Sequence, residues 1–323
     1  MQAEKGLKVQ TRSRLKDIAQ NLKLDVSTVS RGLRGSQRVK PDTREIILAE
    51  AERLSFHPNL LARSLVKKAS NLILYLTANF REYEADLPAA AMSRTLAGYG
   101  YTLLLGLHFN KSDIFIHLLV SFRQGAFNGL IITPSREDEA LKKRIAACAD
   151  LPVIFMDRHY KNIRGTIVTS DNAQGVALLV NELKNEKCSA VIDLFTEQTS
   201  VQAVRADALH SLCKKKYRIY FNIADCTEEG KTVAIFSSSQ GRIRRALQNY
   251  PLLAKRNRIL AMTFDAWDYE HPSVAGAYYC LQDLEKMGET AAELLLEQIQ
   301  GKRKIGRNYM RRIPVLGIRQ YGA

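Results

Sequence analysis

The sequence predicts an all-α headpiece of helix-turn-helix type followed by an α/β body of two parallel-sheet subdomains. Three observations predict it. Residues 14–34, RLKDIAQNLKLDVSTVSRGLR, carry apolar residues at helical spacing on either side of a tight turn. From residue 72 onward, eight short apolar runs alternate with helix-length stretches. The excess positive charge lies at the two ends of the chain rather than along its body.

In the N-terminal segment, Leu15, Ile18, Ala19 and Leu22 recur at the 3/4 spacing of one buried helix face. Lys23-Leu24 makes the turn, and Asp25 suits the N-cap of the next helix. In that helix Val29 and Leu33 point inward, which leaves Ser27, Thr28, Ser30 and Arg31 on the outer side. Such a helix pair is the arrangement that lays its second helix in a DNA major groove. Pro41 opens a third helix, whose apolar side is read as Ile46, Ile47, Ala49, Ala51 and Leu54. His57-Pro58 stops it. Asn59–Val66 then offers one or two helical turns with no core of their own, expected to order only against a partner copy and a DNA groove.

These residues carry a resemblance. The KDIA, STVSR, TRE and HPNLLARSL segments match, in order and spacing, the DNA-binding headpiece of the LacI/GalR (lac repressor) family of bacterial transcription regulators. The resemblance implies that Val26, Ser27 and Arg31 approach base edges and that Thr28, Ser30 and Arg34 sit near phosphates. Lys16, Asn59 and Arg63 complete the implied DNA contacts, and Leu65 would be the wedge that paired hinge helices push into the minor groove. The chemistry suits those roles: Arg grips guanine through two hydrogen bonds, and an apolar wedge unstacks a base step to bend the duplex. Two plainer uses stand beside them, Ser30 as a solvated helix residue and Leu65 as core of the neighbouring domain. Lys23 departs from the family, which usually has Gly or Asn in this turn, and so predicts local strain. The implied boundaries are a headpiece at 1–58, a hinge helix and linker at 59–70, and an effector and dimerisation body at 71–323.

The chain holds 48 Lys+Arg against 33 Asp+Glu, a net charge of +15. Residues 1–70 have 15 basic and 7 acidic side chains, residues 302–323 have 7 basic and none acidic, and the span between them balances. Phosphates would lie against the N-terminal share. The tail run Lys302–Arg312 is open to two readings, a solvated basic face or a second nucleic-acid contact. With 46% apolar and 25% charged residues the chain has ordinary globular composition. No run reaches transmembrane length, and the N-terminus lacks an apolar signal core. Cys148, Cys188, Cys213, Cys226 and Cys280 are odd in number, scattered and without C-x-x-C spacing, so they read as small buried hydrophobes in a reducing cytoplasm.

In the body the strand candidates are residues 72–78, 102–108, 128–134, 152–157, 166–171, 190–195, 233–238 and 259–265. Helical stretches at 113–124, 137–149, 173–185, 201–216, 239–249 and 283–300 separate most of them. Alternation of this kind implies parallel sheets covered on both faces. The resemblance continues here with looser motifs and implies a body like a periplasmic sugar-binding protein, with a small ligand, sugar or nucleobase-like, in the cleft. Carried over by position, Asp157, Arg205 and Asp265 are the implied polar contacts, and Trp267 is a candidate to stack on a ring. The plainer readings are helix caps or internal ion pairs for the three charges, and a loop or core position for the tryptophan.

Departures from the family gather in this region. The chain between Arg205 and Asp265 is shorter by about one strand-helix unit; Ser237-Ser238-Ser239-Gln240 replaces the family's Asn-Asp; Glu186-Lys187 replaces Gly-His; Ala208 replaces a Gly; and Ala266 replaces a second Asp. No metal-ligand spacing, nucleophile elbow, P-loop or dinucleotide fingerprint is present, which argues against an enzyme and against a cofactor. The expected function is a cytoplasmic, homodimeric, sequence-specific regulator, a repressor, that reads a near-palindromic operator under small-molecule control. The alternative is a DNA-binding regulator or architectural protein with a degenerate pocket and no effector.

Overall fold

In the computed structural model the described residues are 15–33, 35–54, 56, 70–78, 85–134, 139–160, 162–195, 199–268 and 270–321. They fall into two compact units, Met1–Lys68 and Ala69–Ala323. The first holds α1 (Leu15–Leu22), α2 (Val26–Gly32) and α3 (Pro41–Arg53) around Ile18, Ala19, Val29, Val39, Ile47 and Ala51. Leu33, half-buried, packs against that cluster. Pro41 sits in the first turn of α3, where its missing N–H costs nothing. The apolar side of α3 is narrower than its sequence suggests: Ile46 is 50% exposed, Ala49 is exposed too, and of the five residues Ile47, Ala51 and part of Leu54 turn inward. Asp25 takes the N-cap position of α2 with extended backbone, but its carboxylate makes no cap hydrogen bond. Instead the Thr28 and Val29 N–H groups donate to its carbonyl.

The turn between α1 and α2 bears out the departure at Lys23. Its φ is +51°, in the left-handed region. Leu24 N–H donates to the Ala19 carbonyl at 2.9 Å and Lys23 N–H to that of Gln20 at 3.2 Å, the paired bonds of a helix end that favours glycine. A side chain there costs about 1 kcal/mol. Lys23→Gly is therefore expected to stabilise the headpiece by roughly 0.5–1 kcal/mol, part of the relief being lost to a freer unfolded chain. The midpoint of headpiece unfolding in urea measures it; a fall in that midpoint would show that the lysine makes a compensating contact.

The body holds two six-stranded sheets. The first sheet has strands β1 (Leu72–Thr77), β2 (Thr102–Leu107), β3 (Gly129–Ile132), β4 (Val153–Met156), β5 (Thr166–Ser170) and β11 (Tyr309–Ile313), in the order β11-β5-β4-β3-β1-β2. The second has β6 (Ala190–Asp193), β7 (Arg218–Tyr220), β8 (Thr232–Ser237), β9 (Arg258–Thr263), β10 (Gly276–Leu281) and β12 (Gly317–Gln320), in the order β12-β10-β9-β8-β6-β7. Every neighbouring pair is parallel except β10 with β12. The inner strands are buried along their length because helices cover both faces. These helices are α4 (Asp86–Ala97), α5 (Ser112–Ser121), α6 (Glu139–Ala146), α7 (Asn172–Asn185), α8 (Ser200–Cys213), α9 (Gln240–Asn249), α10 (Pro251–Arg256) and α11 (Leu284–Ile299). Two apolar clusters fill the two faces of each sheet.

The chain passes from the first sheet to the second after β5, returns after β10, and leaves again after β11. The three passages meet. Asp171 N–H donates to the Ile313 carbonyl at 2.7 Å, Ser170 Oγ to Gln282 Oε1 at 2.8 Å, and Val315 N–H to Gln174 Oε1 at 3.0 Å. Between β7 and β8 the connection carries one 3-10 turn, Ile223–Asp225, in place of a helix. The five cysteines are free thiols, three of them buried, and burial pushes those of Cys213 and Cys280 up to about 12.

Helices α4 and α11 are joined at Gly288, where an added Cβ would fall 2.7 Å from the Cα of Pro88 and closer still to its carbonyl oxygen. Backbone cannot swing aside as a side chain can. Gly288→Ala should therefore destabilise the body by about 2 kcal/mol despite alanine's better helix propensity. Urea unfolding of the body transition tests this, and an unchanged midpoint would mean that the two helices slide apart without cost.

Candidate functional site

On the first unit α2 shows its two faces as its spacing requires. Val29 and Gly32 are buried against α1 and α3, where a Cβ on Gly32 would meet Ile47 Cδ1 at 2.6 Å. Val26, Ser27 and Arg31 are exposed, and Thr28 and Ser30 are half-buried. Lys16 is exposed on α1. Arg34, Asn59, Arg63 and Leu65 lie outside the described residues, as does nearly all of the hinge segment. Glu50 on α3 ties the helices together, accepting from Asn21 Nδ2 at 2.7 Å and from Arg53 through two bonds of 2.7 Å. Those donors, the arginine foremost, hold the Glu50 carboxyl down to about 2.

In the second unit the structure brings three of the four predicted cleft residues into one electrostatic group. Asp157 follows β4, Arg205 lies on α8, and Asp265 follows β9. Loops at the carboxyl ends of parallel strands are where such folds bind ligands. Arg205 is 5% exposed. Its Nε donates to Asn172 Oδ1 at 2.8 Å, its Nη1 donates to Ser238 Oγ at 2.9 Å, and its guanidinium lies 3.6 Å above the centre of the Phe264 ring. Burial lowers its pKa to about 10 against the opposing pull of Asp157 and Asp265. Burial also raises the Asp157 carboxyl, while Arg205 pulls it down. Asp157 itself has φ of +64° and forms an ion pair with Arg158 Nε at 3.3 Å. Asp265 is held by its backbone, its N–H donating to the Ser238 carbonyl at 3.1 Å and its carbonyl accepting from Thr263 Oγ1 at 2.8 Å.

Trp267 does not join them. At 3% exposed it packs in the apolar cluster of Ile192, Ile235, Ile243 and Tyr279, a core position. Residues that the sequence did not single out as contacts take part instead. Asn172, Ser238 and Phe264 shape the Arg205 guanidinium, and Arg158 partners Asp157. The His159 N–H crosses from the first subdomain to Ser200 Oγ at 3.2 Å. Ser238 belongs to the serine run that replaces the family's Asn-Asp, so one hydroxyl of that run now serves the arginine. Arg158 was legible only as the neighbour of Asp157. In the same serine-glutamine run, Gln240 Oε1 is buried without a hydrogen-bond partner. Glu186, where the family has Gly, accepts from the Tyr278 hydroxyl and pairs with Arg258 at 2.7 Å, a local tie away from the cleft residues.

Residues 14–59 match the family described as bacterial regulatory proteins, lacI family. The ribose operon repressor of Halalkalibacterium halodurans is 28% identical over 181 residues, 55% of this chain and 52% of that protein. HTH-type transcriptional repressor PurR of Escherichia coli is 27% identical over 160 residues, 49% of this chain and 47% of the relative. The match thus spans about half the length of these relatives. Among solved structures, a lac repressor dimer bound to operator and the anti-inducer ONPF overlays with a TM-score of 0.73 at 18% identity, covering 96% of this chain and 98% of that one. A periplasmic binding protein/LacI regulator from Alkaliphilus metalliredigens complexed with D-xylulofuranose gives 0.55 at 17% identity, with 77% and 97% covered. These overlays are likenesses of fold. Fold and site together define a helix-turn-helix headpiece carried with a periplasmic-binding-protein-like body. Residues 14–59 are thus similar to the lacI-family headpiece, and the chain as a whole shares the fold of the lac repressor.

Proposed function

We propose that this protein is a sequence-specific DNA-binding transcription regulator, a repressor, that binds a near-palindromic operator as a homodimer. The observation that carries the proposal is the outer face of α2, where Val26, Ser27 and Arg31 stand exposed over a core that fixes Val29 and Gly32. Short polar groups and one guanidinium are the side chains that read base edges and phosphates from a groove. Thr28, Ser30, Lys16 and Arg34 add backbone contacts, and Asn59, Arg63 and Leu65 would act from a hinge spanning 59–70. The names of the ribose operon repressor and PurR support the repressor reading. The protein works in the cytoplasm without catalysing a reaction. Among the described residues no helix is long and apolar enough to cross a membrane, and no group of side chains could hold a metal.

Asp157, Arg205 and Asp265 are the polar contacts for a small effector, a sugar or nucleobase-like molecule whose differential affinity for two closure states biases the hinge. One observation favours a second reading, a pocket that has lost its effector: the protein's own Asn172, Ser238 and Phe264 already occupy the Arg205 guanidinium. Selecting bound sites from random duplex DNA, alone and with a panel of sugars and nucleobases, tests both. A near-palindromic consensus is expected. Equal affinity for random DNA at physiological salt would overturn the regulator, and a consensus that no panel member weakens would favour the second reading.

A further inference from the structure

The basic run Lys302–Arg312, read from sequence as a solvated face or a nucleic-acid contact, ends in β11, the outermost strand of the first sheet. Four of its five residues are exposed, Tyr309 and Met310 among them. Tyr309 N–H donates to the Gly165 carbonyl at 3.2 Å, and the Ile313 carbonyl accepts from Asp171 at 2.7 Å. The alternation of a parallel ladder therefore turns residues 309, 311 and 313 toward β5 and the N–H and C=O groups of Met310 and Arg312 toward the open edge. Beside that edge runs a groove of about 580 Å³ lined by Tyr160, Ile163, Arg164, Ile167, Tyr309 and Met310. Its rim is basic: Arg164, Arg311 and Arg312 are exposed, and residues 302–323 contain no acid.

We propose that the open edge of β11 and the groove beside it form a docking site for an extended acidic segment of a partner protein, which adds as a further strand. The edge offers donors and acceptors in alternation, which a polypeptide strand matches and a nucleic-acid backbone, all acceptor, does not. The groove takes apolar side chains on alternate positions, and the arginines select acidic ones. A second copy of this edge is disfavoured, because like charges directly opposite one another repel. His159, which also lines the groove, donates its backbone N–H to Ser200 Oγ of the other subdomain at 3.2 Å.

Anisotropy titrations of the full chain test the proposal. The probe is a labelled peptide alternating glutamate and valine; the comparisons are the same peptide N-methylated on alternate residues, a lysine–valine peptide, and duplex DNA of random sequence. The glutamate peptide is expected to bind and both altered peptides to lose binding. Arg164→Glu with Arg312→Glu should weaken the interaction by about tenfold or more. Met310→Pro removes an outward N–H and leaves the β5 ladder intact, so it should abolish binding while the thermal midpoint stays near that of the parent. Undiminished binding of the N-methylated peptide would overturn strand addition. DNA binding that falls with the two arginine reversals would assign the edge to nucleic acid instead, and self-association lost in Met310→Pro would assign it to a second copy.

Discussion

Replacing Arg31 with alanine is expected to weaken binding to the selected operator by roughly 1–3 kcal/mol, about 5- to 150-fold, and to leave affinity for random duplex DNA nearly unchanged. Arg31 stands exposed in the last turn of α2, one residue from Gly32, whose contact with Ile47 fixes the rotation of the helix on α3. The guanidinium therefore extends from a rigid platform, and its reach is set by the three methylenes of its side chain rather than by loop motion. Alanine is a better helix former, so loss of affinity cannot be laid to loss of fold. The salt dependence separates the two uses of an arginine. If Arg31 grips a base, the variant loses discrimination at the matching base pair with little change in slope. If it grips a phosphate, binding weakens on every sequence and the slope of log affinity against log salt falls by about one. Competition anisotropy at two salt concentrations reads both quantities, and equal loss on operator and random DNA would remove Arg31 from base readout.

The elements that were legible in the sequence are those whose physics is local. All eight apolar runs became strands, because residues such as 129–132 and 153–156 must be buried on both faces wherever they pair. Strand β11 was hidden because Tyr-Met-Arg-Arg-Ile reads as part of a charge run; only its pairing with β5, across the return from the second subdomain, makes it a strand. Helix α4 was hidden because alanines supply much of its buried face, Ala89 and Ala91 with Met92 and Leu96, and small residues give weak periodicity. The error on α3 has the same root. Ile46 and Ile47 are adjacent and so lie on different sides of a helix packed on one face only; Ile47 turns inward, Ile46 does not, and the sequence alone does not choose.

The headpiece site was more legible than the cleft. Residues 26–31 form one contiguous stretch whose exposure follows from the 3.6-residue period. The cleft group draws on four separate segments: Asn172 from α7, Arg205 from α8, Ser238 after β8 and Phe264 after β9. No local pattern announces that these meet. The serine run that looked like a loss therefore became interpretable only once Ser238 was found bonded to the arginine.

Arg205 also carries the largest expected effect on stability. Arg205→Met keeps much of the side chain's volume but leaves Asp157 and Asp265 without their shared countercharge and strands Asn172 Oδ1 and Ser238 Oγ. Removing one partner of a buried charged group costs about 3–5 kcal/mol. The pH dependence gives the cause a signature. Burial already raises the Asp157 carboxyl above its ordinary value, and losing Arg205 raises it further. A carboxyl whose folded pKa lies above its unfolded one destabilises the fold at neutral pH, and the penalty is relieved as pH falls through the folded value. The variant should therefore recover toward the parent as the pH falls through the raised Asp157 value, as read by the thermal midpoint. A deficit constant across that range would point to lost packing on Phe264 instead. Adding Asp157→Asn and Asp265→Asn to Arg205→Met separates structure from signalling. With both carboxylates neutralised, the triple variant should regain most of the lost stability, and operator binding should persist. If the three residues hold an effector, that restored protein must be deaf to any ligand that releases the parent from DNA. If they are only an internal ion network, it must respond as the parent does.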